Sequence, residues 1–175
     1  MTASRRSDTG VRAIRALQAL APWPPPYDYE DPFLPSIDGR AFLPADYWLT
    51  ESQFDAVRRV TTRRGGVGFL RQSALREESG ELVDGCCEVV WAEPETWSRG
   101  LEPALECFMV DLGAEWGVAF STEEFAIVGG RRDFVSDLMR VLGASSSELL
   151  AEWLQAGRAG REFYRGFLES MEWSS

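Results

Sequence analysis

Two short runs past the middle of the chain constrain its fold most. In Glu115–Ser121 the large side chains Trp116, Val118 and Phe120 alternate with the small residues Gly117 and Ala119, and the run Glu124–Val128 follows after two residues. Period-two alternation is the pattern of a strand with two unlike faces, and two such runs joined by a short connection read as an antiparallel hairpin. Gly129-Gly130 closes the second run. Phe134, Val135, Leu138, Met139 and Leu142 then recur at helical spacing over about 132–142. A hairpin with a large-residue face and a helix with one apolar stripe each bury that surface only against another layer, which points to a helix-packed antiparallel sheet.

The flanking segments extend this pattern. Thr50-Glu-Ser-Gln53 is a capping box, and Phe54, Val57 and Val60 predict a helix over about 51–62. Strands are predicted over 67–73 and 82–91, with a turn at Glu77-Glu78-Ser79-Gly80. Ala104, Leu105, Phe108, Met109 and Leu112 predict a helix that begins near Pro103 and ends at Gly113. Ser145-Ser-Ser-Glu148 is a second capping box. It opens a C-terminal helical region with one stripe of Leu149, Leu150, Trp153 and Leu154 and another of Phe163, Tyr164, Phe167, Leu168 and Met171. These stripes read as core or as a subunit interface, so a homo-oligomer through the C-terminal helices is an open expectation.

At the other end, Thr9–Ala21 reads as a helix stopped by Pro22, and a Pro-rich arm covers 22–35; seven of the nine prolines precede residue 45. Pro22, Pro25 and Pro26 are read as offering PxxP spacing. The alternative is an arm packed on the domain through Trp23, Tyr27, Tyr29 and Phe33, and it is favoured because so many free aromatics invite association. The expected fold class is α+β: a small antiparallel sheet of about four strands packed by helices, with the arm before it and helices after it. Residues 1–45 are read as N-terminal helix and arm, and 46–175 as a single α+β domain.

Composition removes whole classes of chemistry. The chain of 175 residues has no His, Lys or Asn, and all 18 of its basic residues are Arg. Without His there is no Ser-His-Asp or Cys-His nucleophile system, and no His-based zinc motif. A chain of this length buries about 70% of its unfolded surface and needs no disulfide or metal to fold. The three Cys are an odd set with Cys86 and Cys87 adjacent, unlike a secreted disulfide framework. No run of 18 apolar residues and no signal-peptide core is present, so the expected location is the cytoplasm.

Charge is distributed unevenly. Of the net −10, residues 1–76 carry +3, residues 77–124 carry −12 and residues 125–175 carry −1. Such a field repels nucleic acid and anionic membranes and attracts basic partners. The basic groups Arg5/Arg6/Arg12/Arg15 and Arg58/Arg59/Arg63/Arg64 are too short for binding by counterion release. The acidic stretch is either a solubilising surface or a docking face, and the docking reading rests on Glu77, Glu78, Glu81, Asp84, Glu88, Glu93 and Glu95.

No residue is assigned a catalytic, cofactor-binding or metal-binding role, and no cofactor is expected. Cys86 and Cys87 sit between Asp84 and Glu88, which oppose the lowered thiol pKa that a nucleophile requires. Close carboxylates such as Glu93/Glu95 and Glu123/Glu124 arise by chance in so acidic a chain. The glycines after Arg63-Arg64 lack the Gly-Lys-Ser/Thr ending of a phosphate loop.

The run Trp116-Gly-Val-Ala-Phe-Ser121, then Glu124-Phe-Ala-Ile-Val-Gly-Gly130, then Phe134 and Leu138, resembles the strand–strand–helix segment of small bacterial immunity proteins of polymorphic or contact-dependent toxin systems. The resemblance covers 115–142 and is structural. It implies a small, acidic, cytoplasmic, non-enzymatic inhibitor that covers a basic toxin. Two other readings stay open: a structural or regulatory interaction module using the Pro-rich arm or the C-terminal aromatic helices, and an enzyme using carboxylates with a divalent metal.

Overall fold

The computed structural model describes residues 12, 15–22, 31–45, 49–64, 68–75, 82–88, 106–121, 123–156 and 161–174, with the backbone alone for 68–75, 82–88, 106 and 107. In order these form β1 (Gly39–Pro44), α1 (Glu51–Arg63), β2 (Gly68–Leu75), β3 (Leu82–Glu88), β4 (Glu106–Asp111), β5 (Trp116–Phe120), β6 (Phe125–Gly130), α2 (Arg132–Leu142), α3 (Ser146–Gln155) and α4 (Arg161–Ser170). A helical segment at 15–20 precedes them. The strands make one antiparallel sheet in the order β1-β6-β5-β4-β2-β3.

The fold is therefore α+β, an antiparallel sheet packed by helices, as its patterning predicts. The four strands read from sequence are β2, β3, β5 and β6. Two more join them. β4 corrects the helix expected to begin near Pro103; residues 103–105 and the expected 77–80 turn lie outside the described residues. The physical reason is burial on both faces. Phe108 and Val110 face one apolar cluster while Met109 faces the other, and all three are 3% exposed or less. A strand covered on both sides loses its alternation, and its apolar run then satisfies helical spacing equally well. Gly113 lies in the β4–β5 turn, where the Asp111 carboxylate accepts its N–H at 2.9 Å. β1 was hidden for the same reason: Ala41, Phe42 and Leu43 are fully buried.

The sheet separates two cores. On one face, α1 and α2 pack Phe54, Val57, Val60, Phe134 and Leu138 against Leu43, Met109, Trp116, Val118 and Val128. Phe134 stacks on Trp116 with ring centroids 5.3 Å apart and planes 9° apart, worth about 0.5–1.5 kcal/mol beyond the area buried. On the other face, the 15–20 segment, α3 and α4 bring Leu17, Leu20, Leu150, Trp153 and Leu168 onto Phe42, Phe108, Phe125 and Ile127. The C-terminal stripes thus supply core, except Phe163, which is exposed.

Local signals position these helices. Both expected capping boxes form, Thr50 with Gln53 and Ser145 with Glu148, each cap worth about 1 kcal/mol. Gly143 ends α2 in the left-handed region at φ 69°. Phe33 lies over the cross-strand pair Gly117–Gly129 and meets Phe108 edge-on at 6.3 Å. Packing of the arm on the domain holds for Phe33; Trp23, Tyr27 and Tyr29 lie outside the described residues.

Candidate functional site

The residues read as a docking face divide in two. Glu77, Glu78, Glu81, Glu93 and Glu95 lie outside the described residues. Asp84 and Glu88 both fall on β3, in register with Ser73 and Phe69 of β2. β3 is the last strand in the sheet order, five strand spacings from β1, or roughly 24 Å. Cys86 and Cys87 lie between those two acids, opposite Arg71 and Leu70. Cys107 is on β4, with β2 intervening. Among the described residues no group of three or more His, Cys, Asp or Glu is placed to hold a metal ion, and no helix is long and apolar enough to cross a membrane.

A cleft of about 960 Å³ opens at the opposite end of the sheet, between the 31–38 loop, the start of α2 and the chain after α4. Its construction begins with Arg40. This side chain is 9% exposed, a depth that an arginine reaches only when its donors are satisfied. Its Nε donates to Asp31 Oδ2 at 2.6 Å, and its terminal nitrogens donate to the carbonyls of Leu34 at 3.0 Å and of Ile37. Asp31 also accepts the Phe33 N–H at 3.0 Å. Arg40 is thereby spent on folding the loop.

The outer edge of β1 is covered by the segment after α4. Ser174 N–H donates to Arg40 O at 2.8 Å, and Arg40 N–H donates to Ser174 Oγ at 3.0 Å. Phe42 N–H donates to Ser146 Oγ at 3.1 Å, and Gln53 Nε2 donates to Pro44 O at 2.7 Å. Edge groups that could template another strand are thus engaged by side chains and by the Ser174 backbone. Trp173, held edge-on to Phe42 at 6.1 Å, lines the cleft, and its indole N–H is buried with no hydrogen-bond partner among the described residues.

At the cleft rim, Asp38 Oδ1 accepts the Arg132 N–H at 3.0 Å, which occupies the first open amide of α2. The Asp38 and Glu172 carboxylates form no ion pair among the described residues. Sequence reasoning missed this site because its walls come from 31–40, 132 and 167–174, and nothing in a linear pattern brings those segments together. The available signal was an arginine in the apolar run at 40–43.

Two ion-pair groups fasten the helices, one tying α4 to the β5–β6 turn and the other tying α1 to α2. Arg161 pairs with Glu124 at 2.9 Å, donates to the Trp153 carbonyl and lies over the Trp153 ring at 4.6 Å. Trp153 Nε1 donates to Glu124 O at 3.0 Å, which pins the hairpin turn where Glu124 holds φ 66°. On the other face, Arg64 at the end of α1 donates to Asp137 at 2.7 Å and to Asp133 at 3.1 Å on α2. For Asp137, the hydrogen bond from Arg64, with that from Arg140, lowers the carboxyl pKa below its ordinary value. For Asp133, desolvation raises the pKa, but hydrogen bonds from Arg64 and Arg131 outweigh it, so the net direction is also down.

Carboxylates with depressed native pKa values contribute stability that is complete above their ordinary range. It is lost as pH falls through the depressed values, because the unfolded chain binds the protons first. Arg64→Gln is expected to cost about 0.5–1 kcal/mol at neutral pH, less in high salt. It should also flatten the fall in stability below about pH 5. Urea unfolding of both proteins at neutral and acid pH checks this, and parallel acid limbs would show that the network contributes nothing.

Compared with protein-family models, curated proteins and solved structures, the chain matches none.

Proposed function

We propose that the protein is a non-enzymatic, acidic protein-binding protein of the cytoplasm, an immunity-type inhibitor that covers a basic toxin or effector. The observation that carries this reading is the concentration of net charge −12 in residues 77–124, where Arg99 is the single basic residue. Asp84 and Glu88 of that stretch share the last strand of the sheet order. A dense anionic face speeds encounter with a cationic surface, and close charge pairs formed on docking can each contribute over 1 kcal/mol. The absence of His, which removes the commonest general base, is consistent with a binding role.

The test begins with a pull-down from native extract at low and high salt, read by mass spectrometry. A stoichiometric basic protein released by salt is the expected result. Replacing Glu77, Glu78, Asp84 and Glu88 by Lys should then weaken its binding by about 100-fold or more and reduce its salt dependence. Unchanged affinity and unchanged salt dependence would remove this surface assignment. Silence at both salts would remove the inhibitor reading.

A further inference from the structure

We propose that the cleft beside β1 is a second binding site, which takes an extended basic segment of a partner protein carrying alternate apolar and cationic side chains. The proposal rests on the partner being a basic protein, and it places a contact at the end of the sheet remote from the acidic strand β3.

The volume of about 960 Å³ lies within the range of pre-formed ligand sites. Its apolar wall is Ile37, Phe167, Met171 and Trp173. Charge then decides between occupants. Asp31 and Arg40 neutralise one another and are committed to the loop. That leaves the carboxylates of Asp38 and Glu172 at the opening, against one lining cation, Arg132, whose guanidinium reaches, among the described residues, only the Asp38 carbonyl, at 3.4 Å. The opening is therefore net negative by one charge. An anionic ligand would find four of the five Arg40 N–H groups engaged by Asp31, Ile37, Gly39 and Leu34 and the first amide of α2 taken by Asp38, and it would face the carboxylates of Asp38 and Glu172. A cationic side chain meets those carboxylates directly, while its neighbour's apolar side chain lies on the wall.

The backbone of such a segment has a receptor as well. The Trp173 indole N–H is buried without a partner among the described residues, a costly state for a polar group. A small outward turn of the ring toward a peptide carbonyl loses no existing hydrogen bond and relieves that cost.

The experiment follows the indole N–H resonances of ¹⁵N-labelled full-length protein, with the Trp173 signal assigned from Trp173→Phe. The probe is the blocked peptide Phe-Arg-Phe-Arg, set against Phe-Glu-Phe-Glu. The expected result is a saturable shift of the Trp173 signal with the arginine peptide alone. Asp38→Asn with Glu172→Gln should weaken binding about fivefold, and Asp84→Asn with Glu88→Gln on β3 should leave it unchanged. No shift at millimolar peptide, equal binding of the acidic peptide, or equal weakening by the β3 pair would overturn the proposal. Failure here is distinguishable from failure of the inhibitor reading. A native partner that depends on the acidic stretch while the peptide leaves Trp173 unmoved removes the cleft alone. A peptide that binds while extracts yield no partner removes the inhibitor.

Discussion

Deleting residues 1–45 is expected to abolish cooperative folding. The segment reads as helix and arm, yet it carries β1, which pairs along its length with β6. Ala41, Phe42 and Leu43 are fully buried, Leu17 and Leu20 are 1% exposed and Phe33 is 3% exposed. Each large side chain removed from such a position costs about 2–5 kcal/mol, and together they exceed the roughly 5–15 kcal/mol by which a domain is stable. The deletion also strips β6 of its edge partner. Circular dichroism and urea titration of residues 46–175 check this. A sharp transition near the full-length midpoint would show that β1 is dispensable. The deletion is consequently unsuitable for separating an arm-based adaptor from an inhibitor, and alanine at Pro22 and Pro25, which spares β1, is the cleaner probe.

Gly129→Ala is expected to destabilise the protein by about 3 kcal/mol, a large effect for a single methyl group. A Cβ at this position would lie 2.3–2.5 Å from three atoms of the Phe33 ring. The ring has no room to retreat, because it is 3% exposed and already packs on Phe108. Any displacement passes to Asp31, which holds the Phe33 N–H and the Arg40 guanidinium, and so reaches the cleft floor. Equilibrium unfolding measures the loss. In a Phe33→Ala background the cost of the added methyl should shrink by about 1–3 kcal/mol, the coupling expected of touching residues. A change within about 0.5 kcal/mol in the wild-type background would mean that Phe33 is not seated on Gly129.

The helices α1 and α2, read correctly from sequence, share one property: a solvent-facing side. α1 and α2 each keep an exposed polar stripe, and their caps are local chemistry between residues three apart. The β5–β6 hairpin was legible because Gly117 and Ala119 leave one face of β5 small, so the alternation survives even where both faces are covered. β1 and β4 kept no such mark. Asp84 and Glu88, read as docking residues, are placed together on β3 in the sheet, whereas the cleft residues Asp38, Glu172 and Trp173 carry no periodicity of their own.

By itself, the sequence determined the helix caps, the central hairpin, the α+β class, the exclusion of histidine chemistry and the location of the acidic stretch. All of these follow from composition or from neighbours within a few residues. Tertiary structure alone decided that residues 39–44 and 106–111 are strands, that Phe33 needs a glycine beneath it and that Ser174 covers the edge of β1 beside a cleft. The reason is that a strand takes its partners from distant parts of the chain: β1 finds β6 more than 80 residues later, and Ser174 bonds Arg40 across a separation of 134 residues. Burial on both faces erases the local pattern that would have announced such pairings.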